Sequence, residues 1–495
     1  MTKILESVHS FLWGAPVLVL ILGVGLYISI RTGFAQITLL PRAVKDFMKK
    51  LISGKENSSG VTPLQALCTA LAATVGTGNL VGVAGAICIG GPGAVFWMWL
   101  CGILGMATKF AEATLAVRYR SLENGEYKGG PMYMIASGMG EKWKFLAGLY
   151  SFFGVVAAFG VGNATQINAV ISGVNGVLER FGGSETRTGN LLMGLLLAML
   201  IGGMLLGGAK RIGAAAERLV PFVSAAYILL CVGVLAARWE AVPDAFRSII
   251  RGAFSPVAVT GGVLGSAFQA LKVGCSRGVF TNEAGMGTAS IAHAGAEVSH
   301  PAEQGLMGIM EVFLDTILIC TLTALVILVS GIPVPYGKDV GGELTAAAFS
   351  AVYGDWVSVF IAGALCCFAF ATVLGWGLYG ARCAEFLFGS GAWKWFALLQ
   401  TVTVVIGAVL NTQVVWLLAE TINGLMAIPN LIALAVLSPE LHRLTIEYKR
   451  NIRPKAGGGT VCRYPSTQTA VSPLPCGNST PSRWKQRSRE STFIT

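Results

Sequence analysis

The chain of 495 residues is 54% hydrophobic and only 12% charged, whereas ordinary soluble domains carry roughly 25% charged residues. This composition excludes a soluble enzyme as the main body of the protein and predicts a polytopic membrane protein. The formal net charge of +11 does not indicate nucleic-acid binding, because the basic residues are distributed by side of the membrane and not along one surface.

Eleven apolar segments are long enough to cross a bilayer as helices. We number them 1 to 11 and keep these numbers for the helices that they form. Segment 1 lacks a small-residue cleavage site, so we expect it to be retained and not removed as a signal peptide. In chain order the segments lie at roughly 11–30, 61–89, 93–117, 145–177, 189–207, 218–237, 258–292, 305–331, 356–388, 394–411 and 413–437.

Lys and Arg are concentrated on one side of this arrangement. With the amino terminus outside, the cytoplasmic loops and tail carry 26 of the 36 basic residues and the external loops carry 7. The positive-inside bias therefore predicts an external amino terminus and a cytoplasmic carboxyl terminus. We expect an N-terminal helix with the first cytoplasmic loop, two five-helix repeats and a basic, disordered cytoplasmic tail, at 1–60, 61–255, 256–440 and 441–495.

Segment 2 is interrupted by Gly76-Thr77-Gly78-Asn79. Bilayer hydrocarbon cannot hydrogen-bond the backbone groups that such residues release, so a break is tolerated only where it lines a cavity. Segment 7 has a comparable glycine-rich disturbance, at 274–278 and 282–287. Segments five apart run in opposite directions, as an inverted five-plus-five repeat of a secondary transporter requires, and segment 1 is then an extra helix. The alternative is that the glycines only permit close helix packing.

The break in segment 2 predicts a site for a carboxylate and a cation. The amides of Thr77 and Gly78 begin the second half-helix, whose positive end attracts an anion. Asn79 contributes a side-chain oxygen to a Na⁺ site, or alternatively makes a helix-to-helix hydrogen bond. Thr372 of segment 9 adds a hydroxyl oxygen, or is bonded back to its own helix. The backbone carbonyls released at the break complete the ion site, those of Ala72, Thr74 and Val75.

Three further side chains at intermediate depth are candidates for contact with the substrate. Trp376 closes over a small side chain, or is ordinary core packing. The amide oxygens of Gln166 on segment 4 and Asn423 on segment 11 are suited to receive an ammonium group.

Ionisable residues inside apolar segments are functional candidates by default. By the predicted helix directions they fall toward the cytoplasmic half and form an inner gate. Arg277 pairs with one or more of the carboxylates when the site faces outward and releases them when it opens inward. The alternatives are a static ion pair or exposure at the membrane interface. The carboxylates are those of Glu112, Glu283, Glu311, Asp315 and Glu385.

Three stretches carry a family resemblance: ATVGTGNLVG at 73–82, GGPGAVFWMWL at 90–100 and RGVFTNEAGMG at 277–287. They resemble the alanine or glycine:cation symporter family, the sodium:alanine symporters of bacteria and archaea. The resemblance covers about residues 10–440. It implies a leucine-transporter-like fold, a multi-pass protein of the prokaryotic cytoplasmic (inner) membrane, and uptake of small neutral amino acids driven by Na⁺ or H⁺.

The resemblance also assigns residues to the substrate and ion sites. At the position before Thr372, where the family usually has a hydroxyl residue, this chain has Ala371. If that hydroxyl normally completes the Na⁺ shell, the ion binds more weakly here, is held by water, or is replaced by proton coupling. The residues that map onto the family's substrate or ion positions are Thr77, Gly78, Gln166, Thr372, Trp376 and Gly377.

The sequence thus predicts an all-α, eleven-helix secondary transporter that imports alanine or glycine with Na⁺ by alternating access. Its partners are the amino acid and the lipid bilayer, with no nucleic acid, and the transport unit is a monomer. H⁺ coupling is the alternative, and a nontransporting sensor is a further one. A channel would need a selectivity filter, and a membrane enzyme would need a metal or acid–base constellation. The four histidines lack metal-ligand spacing: His9, His293, His300 and His442.

Overall fold

The computed structural model describes residues 7, 9–52, 60–255, 267–338, 341–409 and 413–452, and this part of the chain is almost entirely helical. Of the tail predicted at 441–495, residues 441–452 belong to the helix Ser438–Ile452, and the rest, from Arg453 onward, lies outside the described residues, as does the start of segment 7. Among those described, eight helices are long and apolar enough to cross a membrane, or up to ten if each of two bent pairs is one span. The class of polytopic all-α membrane protein is therefore confirmed, and the count of eleven stays a prediction.

The unbroken helices follow the predicted segments to within about five residues, except that helix 6 begins ten residues before its segment. They are helix 1 (Ala15–Arg31), helix 3 (Gly93–Arg118), helix 5 (Arg187–Leu205), helix 6 (Gly208–Ala237), helix 9 (Val357–Phe388), helix 10 (Ala392–Val409) and helix 11 (Gln413–Val436). Helices 4 and 8 each contain a π-helical stretch. Helix 4 consists of Lys144–Phe159, Gly160–Ala164 and Thr165–Arg180, and helix 8 of Pro301–Val312, Phe313–Cys320 and Thr321–Val329.

The connecting elements are short. β1 (Ser121–Glu123) and β2 (Glu126–Lys128) form an antiparallel hairpin between helices 3 and 4. The other connecting α-helices are Ala35–Thr38, Leu40–Ile52, Pro131–Gly138, Val242–Phe254, Gly341–Tyr353 and Ser438–Ile452, and two 3₁₀ turns are Glu141–Trp143 and Trp239–Ala241.

Helix 2 is broken where the sequence predicts. Its first half, Pro63–Thr74, begins with a capping box in which Thr62 and Gln65 satisfy each other's backbone amides. Val75 then adopts an extended conformation with ψ 103°. The chain resumes as a π-helical turn, Gly78–Gly82, followed by the α-helix Val83–Gly90. The two halves are bent by 52°, so the released backbone groups lie at the bend.

Helix 7 is also broken, but at only one of the two stretches expected. The helix Ala267–Asn282 runs without interruption through residues 274–278, and the second half is Thr288–Ala294. A Cβ at Gly274 would overlap the carbonyl oxygen of Ala94 in helix 3. The expectation of a break at 274–278 is therefore wrong, because these glycines permit close packing of helices 3 and 7. The break lies at 283–287, where Glu283, Gly285 and Gly287 have φ of 52°, 92° and 78°.

The close approach of helices 3 and 7 gives a first testable prediction. We expect Gly274→Ala to lower the stability by about 2 kcal/mol, because the added methyl group must push the two backbones apart. Gly23→Ala in helix 1 is the matched control, since its methyl group would meet nothing within 4 Å. Thermal unfolding in detergent measures both variants. Equal melting temperatures would show that the Gly274 contact does not limit packing.

Candidate functional site

A cavity of about 20 Å³ lies at the break of helix 2, a volume that holds roughly one water molecule. Its wall is formed by helices 2, 4 and 9 and by the part of helix 7 from Phe280 to the start of its break at Glu283. Six residues predicted for the substrate or ion site line it: Thr74, Thr77, Gly78, Gln166, Thr372 and Trp376. Five others complete it: Ala73, Gly76, Val161, Phe280 and Glu283.

Helix 9 meets the break through the hydroxyl of Thr372. This hydroxyl lies 3.0 Å from the Ala72 carbonyl oxygen and 3.0 Å from the Phe368 carbonyl oxygen of its own helix. Thr372 therefore contacts the break and also bonds to its own helix, which are the two outcomes expected from the sequence. A released carbonyl and a hydroxyl at this distance are hard oxygen atoms of the kind that bind Na⁺ in broken transporter helices.

Asn79 adopts the alternative role that the sequence left open. Its side-chain oxygen accepts a hydrogen bond from the Gly76 amide at 2.9 Å, and its amide group donates to Asp315 Oδ1 of helix 8 at 2.7 Å. Asn79 thus caps the break and links helices 2 and 8. Its predicted role as a sodium ligand stays a prediction, and in this conformation its oxygen is engaged by the backbone.

Gln166 and Trp376 form two further walls of the cavity. Gln166 Oε1 accepts from the Thr77 hydroxyl at 3.3 Å, and its amide group donates to the Val161 carbonyl at 3.1 Å in the π-helical part of helix 4. The Trp376 indole N–H donates to Glu283 Oε1 at 3.0 Å. A side chain at Gly162 would overlap the Trp376 ring, so the indole is fixed between helices 4 and 7.

Two predicted substrate contacts are not brought to this cavity. A Cβ at Gly377 would overlap Leu205, so Gly377 faces helix 5. Asn423 is buried, yet it is absent from the cavity wall, and both its amide atoms are without a hydrogen-bond partner among the described residues. Sequence reasoning missed Phe280 as a wall residue, although it lies in the motif at 277–287, and it placed Glu283 at a gate and not at the cavity.

The comparison with known proteins decides the family. A family model described as "Sodium:alanine symporter family" matches residues 1–459. The chain belongs to this family. It is 42% identical to the sodium/alanine symporter AgcS of Methanococcus maripaludis over 442 residues, which cover 88% of this chain and 94% of the relative. It is also 42% identical to an uncharacterized transporter of Haemophilus influenzae over 455 residues, covering 91% and 97%.

Two other comparisons are more distant. The amino-acid carrier protein AlsT of Bacillus subtilis is 36% identical, with 89% of this chain and 90% of the relative covered. The crystal structure of MhsT in complex with L-phenylalanine is 14% identical with a TM-score of 0.47, covering 80% of this chain and 99% of that chain. Family membership makes this chain an amino acid:cation symporter of the inner membrane and not an enzyme.

A buried ion pair lies between helices 3 and 8 of this symporter. Lys109 Nζ is 2.8 Å from Glu311 Oε1, and the other carboxylate oxygen is 3.0 Å from His293 Nε2 of helix 7. These three side chains are at most 1% exposed. Among the described ion pairs, the lysine beside Glu311 is thus Lys109, which the sequence analysis did not assign to the gate.

Arg277 lies elsewhere in this symporter. It lines a second cavity of about 200 Å³, together with Lys272, Glu420, His9 and Phe280. Its pairing with the carboxylates of an inner gate stays a prediction. Glu385, also expected at that gate, is bonded to Lys128 of the hairpin at 3.1 Å and to Arg382 at 2.7 Å.

Glu112 of helix 3 holds the break of helix 7 in this symporter. Its Oε1 atom accepts from the amides of Gly285 at 2.9 Å and Gly287 at 3.1 Å. The side-chain amide of Asn430 in helix 11 donates to the same oxygen at 2.7 Å. Glu283, at the start of the break, has a left-handed backbone that is costly for a residue with a side chain. Its carboxylate is fixed by Trp376 and by the Thr288 hydroxyl at 2.6 Å.

Proposed function

We propose that this symporter imports small neutral amino acids, alanine and glycine, together with Na⁺ by alternating access. The observation that carries the proposal is the Thr372 hydroxyl 3.0 Å from the Ala72 carbonyl, at a cavity formed by the break of helix 2. A cation bound there would hold helix 9 against the break. The name of the AgcS relative, a sodium/alanine symporter, supports the same coupling ion and substrate.

The substrate carboxylate docks on the amides of Thr77 and Gly78. These amides begin the second half of helix 2, where the first N–H groups have no carbonyl partner in their own helix and the helix dipole is positive. Gln166, already bonded to Thr77, presents its amide oxygen on the same side as an acceptor for the ammonium group. A zwitterion is thereby matched at both charged ends.

The cation is held by oxygen atoms of helices 2 and 9. The carbonyls of Ala72, Thr74 and Val75 and the hydroxyl of Thr372 supply them, with Ala371 contributing none. H⁺ coupling is the second candidate, because Glu283 places a carboxylate in the cavity wall with neutral donors, Trp376 and Thr288, as its hydrogen-bond partners. A group of this kind is able to carry a proton.

The walls of the cavity favour a small substrate. Trp376 is fully buried and fixed against helix 4, so it limits the length of the substrate side chain. The cavity must still enlarge, since an amino acid is several times larger than a water molecule.

Phe280 lines both this cavity and the second cavity of about 200 Å³, so a rotation of Phe280 joins the two. With an external amino terminus, the second cavity is the outer entrance, and one chain forms the whole transport unit.

Uptake by purified protein in proteoliposomes tests the proposal. Labelled alanine and glycine are supplied with a Na⁺ gradient or with a pH gradient, each imposed alone. We expect accumulation above equilibrium with the Na⁺ gradient and saturation at increasing substrate. Accumulation with the pH gradient alone would favour H⁺ coupling. Binding without accumulation in sealed vesicles would favour a sensor.

The Thr372 hydroxyl gives a prediction specific to the ion site. We expect Thr372→Val to raise the Na⁺ concentration for half-maximal uptake at least tenfold, which corresponds to about 1.4 kcal/mol, because one oxygen ligand is removed. Thr372→Ser retains the hydroxyl and should stay close to wild type. Thr403→Val in helix 10, where the hydroxyl bonds the Leu399 carbonyl of its own helix, is the matched control. An unchanged Na⁺ dependence in Thr372→Val would remove Thr372 from the ion site.

A further inference from the structure

Two asparagines close the two helix breaks in the same way. In helix 2, Asn79 Oδ1 accepts from the Gly76 amide at 2.9 Å. In helix 7, Asn282 Oδ1 accepts from the Ala284 amide at 3.0 Å. Each asparagine therefore satisfies a backbone amide that the interruption of its own helix has left without a helical carbonyl.

The remaining amide groups of both asparagines converge on helix 8. Asn79 Nδ2 donates to Asp315 Oδ1 at 2.7 Å. Asn282 Nδ2 donates to the Thr316 hydroxyl at 3.2 Å, and that hydroxyl donates to Asp315 Oδ2 at 2.7 Å. A continuous series of hydrogen bonds thus runs from the break of helix 2 through Asp315 to the break of helix 7. All four side chains are at most 1% exposed.

Asp315 is the centre of this series and an unusual residue for its position. It lies in the π-helical stretch Phe313–Cys320 of helix 8, and such stretches often mark functional sites. It takes part in none of the ion pairs found among the described residues, and its hydrogen-bond donors there are neutral. A buried carboxylate without a cationic partner is costly in a membrane protein. Both oxygens of a carboxylate accept hydrogen bonds, whereas an amide has one accepting oxygen. Asp315 therefore accepts one hydrogen bond from each side of the series.

We propose that Asp315 is a positioning residue that couples the two helix breaks, so that helices 2 and 7 rearrange together. The inference rests on the proposed function, Na⁺-driven alternating access. A cation at Ala72 and Thr372 fixes the conformation of helix 2 at Gly76. Asn79 links helix 2 to Asp315 by a hydrogen bond. Thr316 links Asp315 to Asn282, and so to the break of helix 7, by two further hydrogen bonds. Two sites coupled in this way share one conformational equilibrium.

The coupling has a consequence for transport that a purely structural role does not have. With the series intact, the states in which only one break has rearranged are disfavoured, so the cation and the amino acid cross together. With the series cut, each break rearranges independently, and Na⁺ is able to cross without substrate. The ratio of Na⁺ to amino acid transported therefore reports the coupling, which a melting temperature or a binding constant alone does not.

The test compares Asp315→Asn, Thr316→Val and Thr323→Val in proteoliposomes. Asp315→Asn keeps the shape of the side chain but turns one acceptor into a donor, and Thr316→Val cuts only the arm toward helix 7. Thr323 is the matched control, because it is a buried threonine of the same helix whose hydroxyl contacts Tyr227 of helix 6 at 2.8 Å and neither break. Labelled alanine uptake, ²²Na⁺ influx and Na⁺-dependent alanine binding are measured for each protein.

We expect Asp315→Asn and Thr316→Val to bind alanine within about threefold of wild type, to accumulate it at least tenfold less, and to transport more Na⁺ per alanine. Thr323→Val should match wild type in all three measurements. A wild-type Na⁺:alanine ratio in both variants of the series would overturn the inference, as would a loss of accumulation accompanied by an equal loss of binding and melting temperature in both. If wild type itself shows no Na⁺-driven accumulation, the proposed function fails, and the inference fails with it.

Discussion

Replacing Lys109 with methionine is expected to destabilise the protein by about 3–5 kcal/mol, the usual cost of removing one partner of a buried ion pair. Lys109 and Glu311 are 2.8 Å apart and at most 1% exposed. Methionine fills a similar volume, so the cost comes from Glu311, which keeps its charge in the interior with His293 as its remaining partner in the ion pairs described. The measurement is the melting temperature in detergent, supported by the fraction of monodisperse protein after purification.

Two controls separate the ion pair from packing. The double variant Lys109→Met with Glu311→Gln removes both charges and should recover most of the lost stability, since the penalty arises from the unpaired carboxylate. Arg247→Met breaks the pair with Asp244, in which both side chains are about three-quarters exposed, and should change stability by less than about 0.5 kcal/mol. If Lys109→Met melts like Arg247→Met, the buried pair does not stabilise the fold.

The break of helix 2 was predictable because its signal is local. Two glycines and an asparagine within four residues of an apolar segment loosen a backbone that bilayer hydrocarbon cannot hydrogen-bond. The prediction that helix 9 meets this break agrees with the contact between Thr372 and the Ala72 carbonyl, because Thr372 and the break both lie near the middle of their apolar segments. Depth along a helix is readable from hydropathy and motif position, and the cavity wall reflects it.

The sequence did not predict in the same way which helix or cavity each side chain faces. Consecutive residues of an α-helix point about 100° apart, so Trp376 lines the cavity while the next residue, Gly377, packs against Leu205 of helix 5. The same limit applies to Arg277, which lines the second cavity, and to Lys109, which takes the place beside Glu311. Helix directions do not tell which helix each residue faces, and the cavity that Arg277 lines together with His9 and Glu420 is the proposed outer entrance and not the expected inner gate.

The glycines of helix 7 show a second limit. A glycine favours a break and a close helix contact equally well, and sequence alone does not tell the two apart. At Gly274, the nearby carbonyl oxygen of Ala94 in helix 3 shows that the glycine permits a close helix contact. At Gly285 and Gly287, the left-handed backbone and the hydrogen bonds to the Glu112 carboxylate identify a break. Both facts depend on helix 3, which is more than 150 residues away in the chain.

Removing the carboxylate of Glu112 should release the break of helix 7. In Glu112→Ala, the amides of Gly285 and Gly287 and the side-chain amide of Asn430 lose a common acceptor. Leaving a buried donor unsatisfied costs about 1–3 kcal/mol, so we expect a total loss of at least about 3 kcal/mol. Glu112→Gln retains one acceptor oxygen at the same place and should lose clearly less. Hydrogen exchange followed by mass spectrometry measures the protection of residues 283–294 directly.

The comparison between the two breaks makes this prediction informative about transport. At the break of helix 2, the amides of Thr77 and Gly78 are the proposed receptors of the substrate carboxylate, whereas at the break of helix 7 the corresponding amides are already occupied by Glu112. In the proposed mechanism, the break of helix 2 thus binds an exchangeable anion, whereas the break of helix 7 is bonded to a carboxylate of the protein itself. Glu112→Ala should therefore increase exchange at 283–294 while leaving residues 74–82 protected as in wild type. Equal protection at 283–294 in both proteins would contradict a role for Glu112 in holding the break.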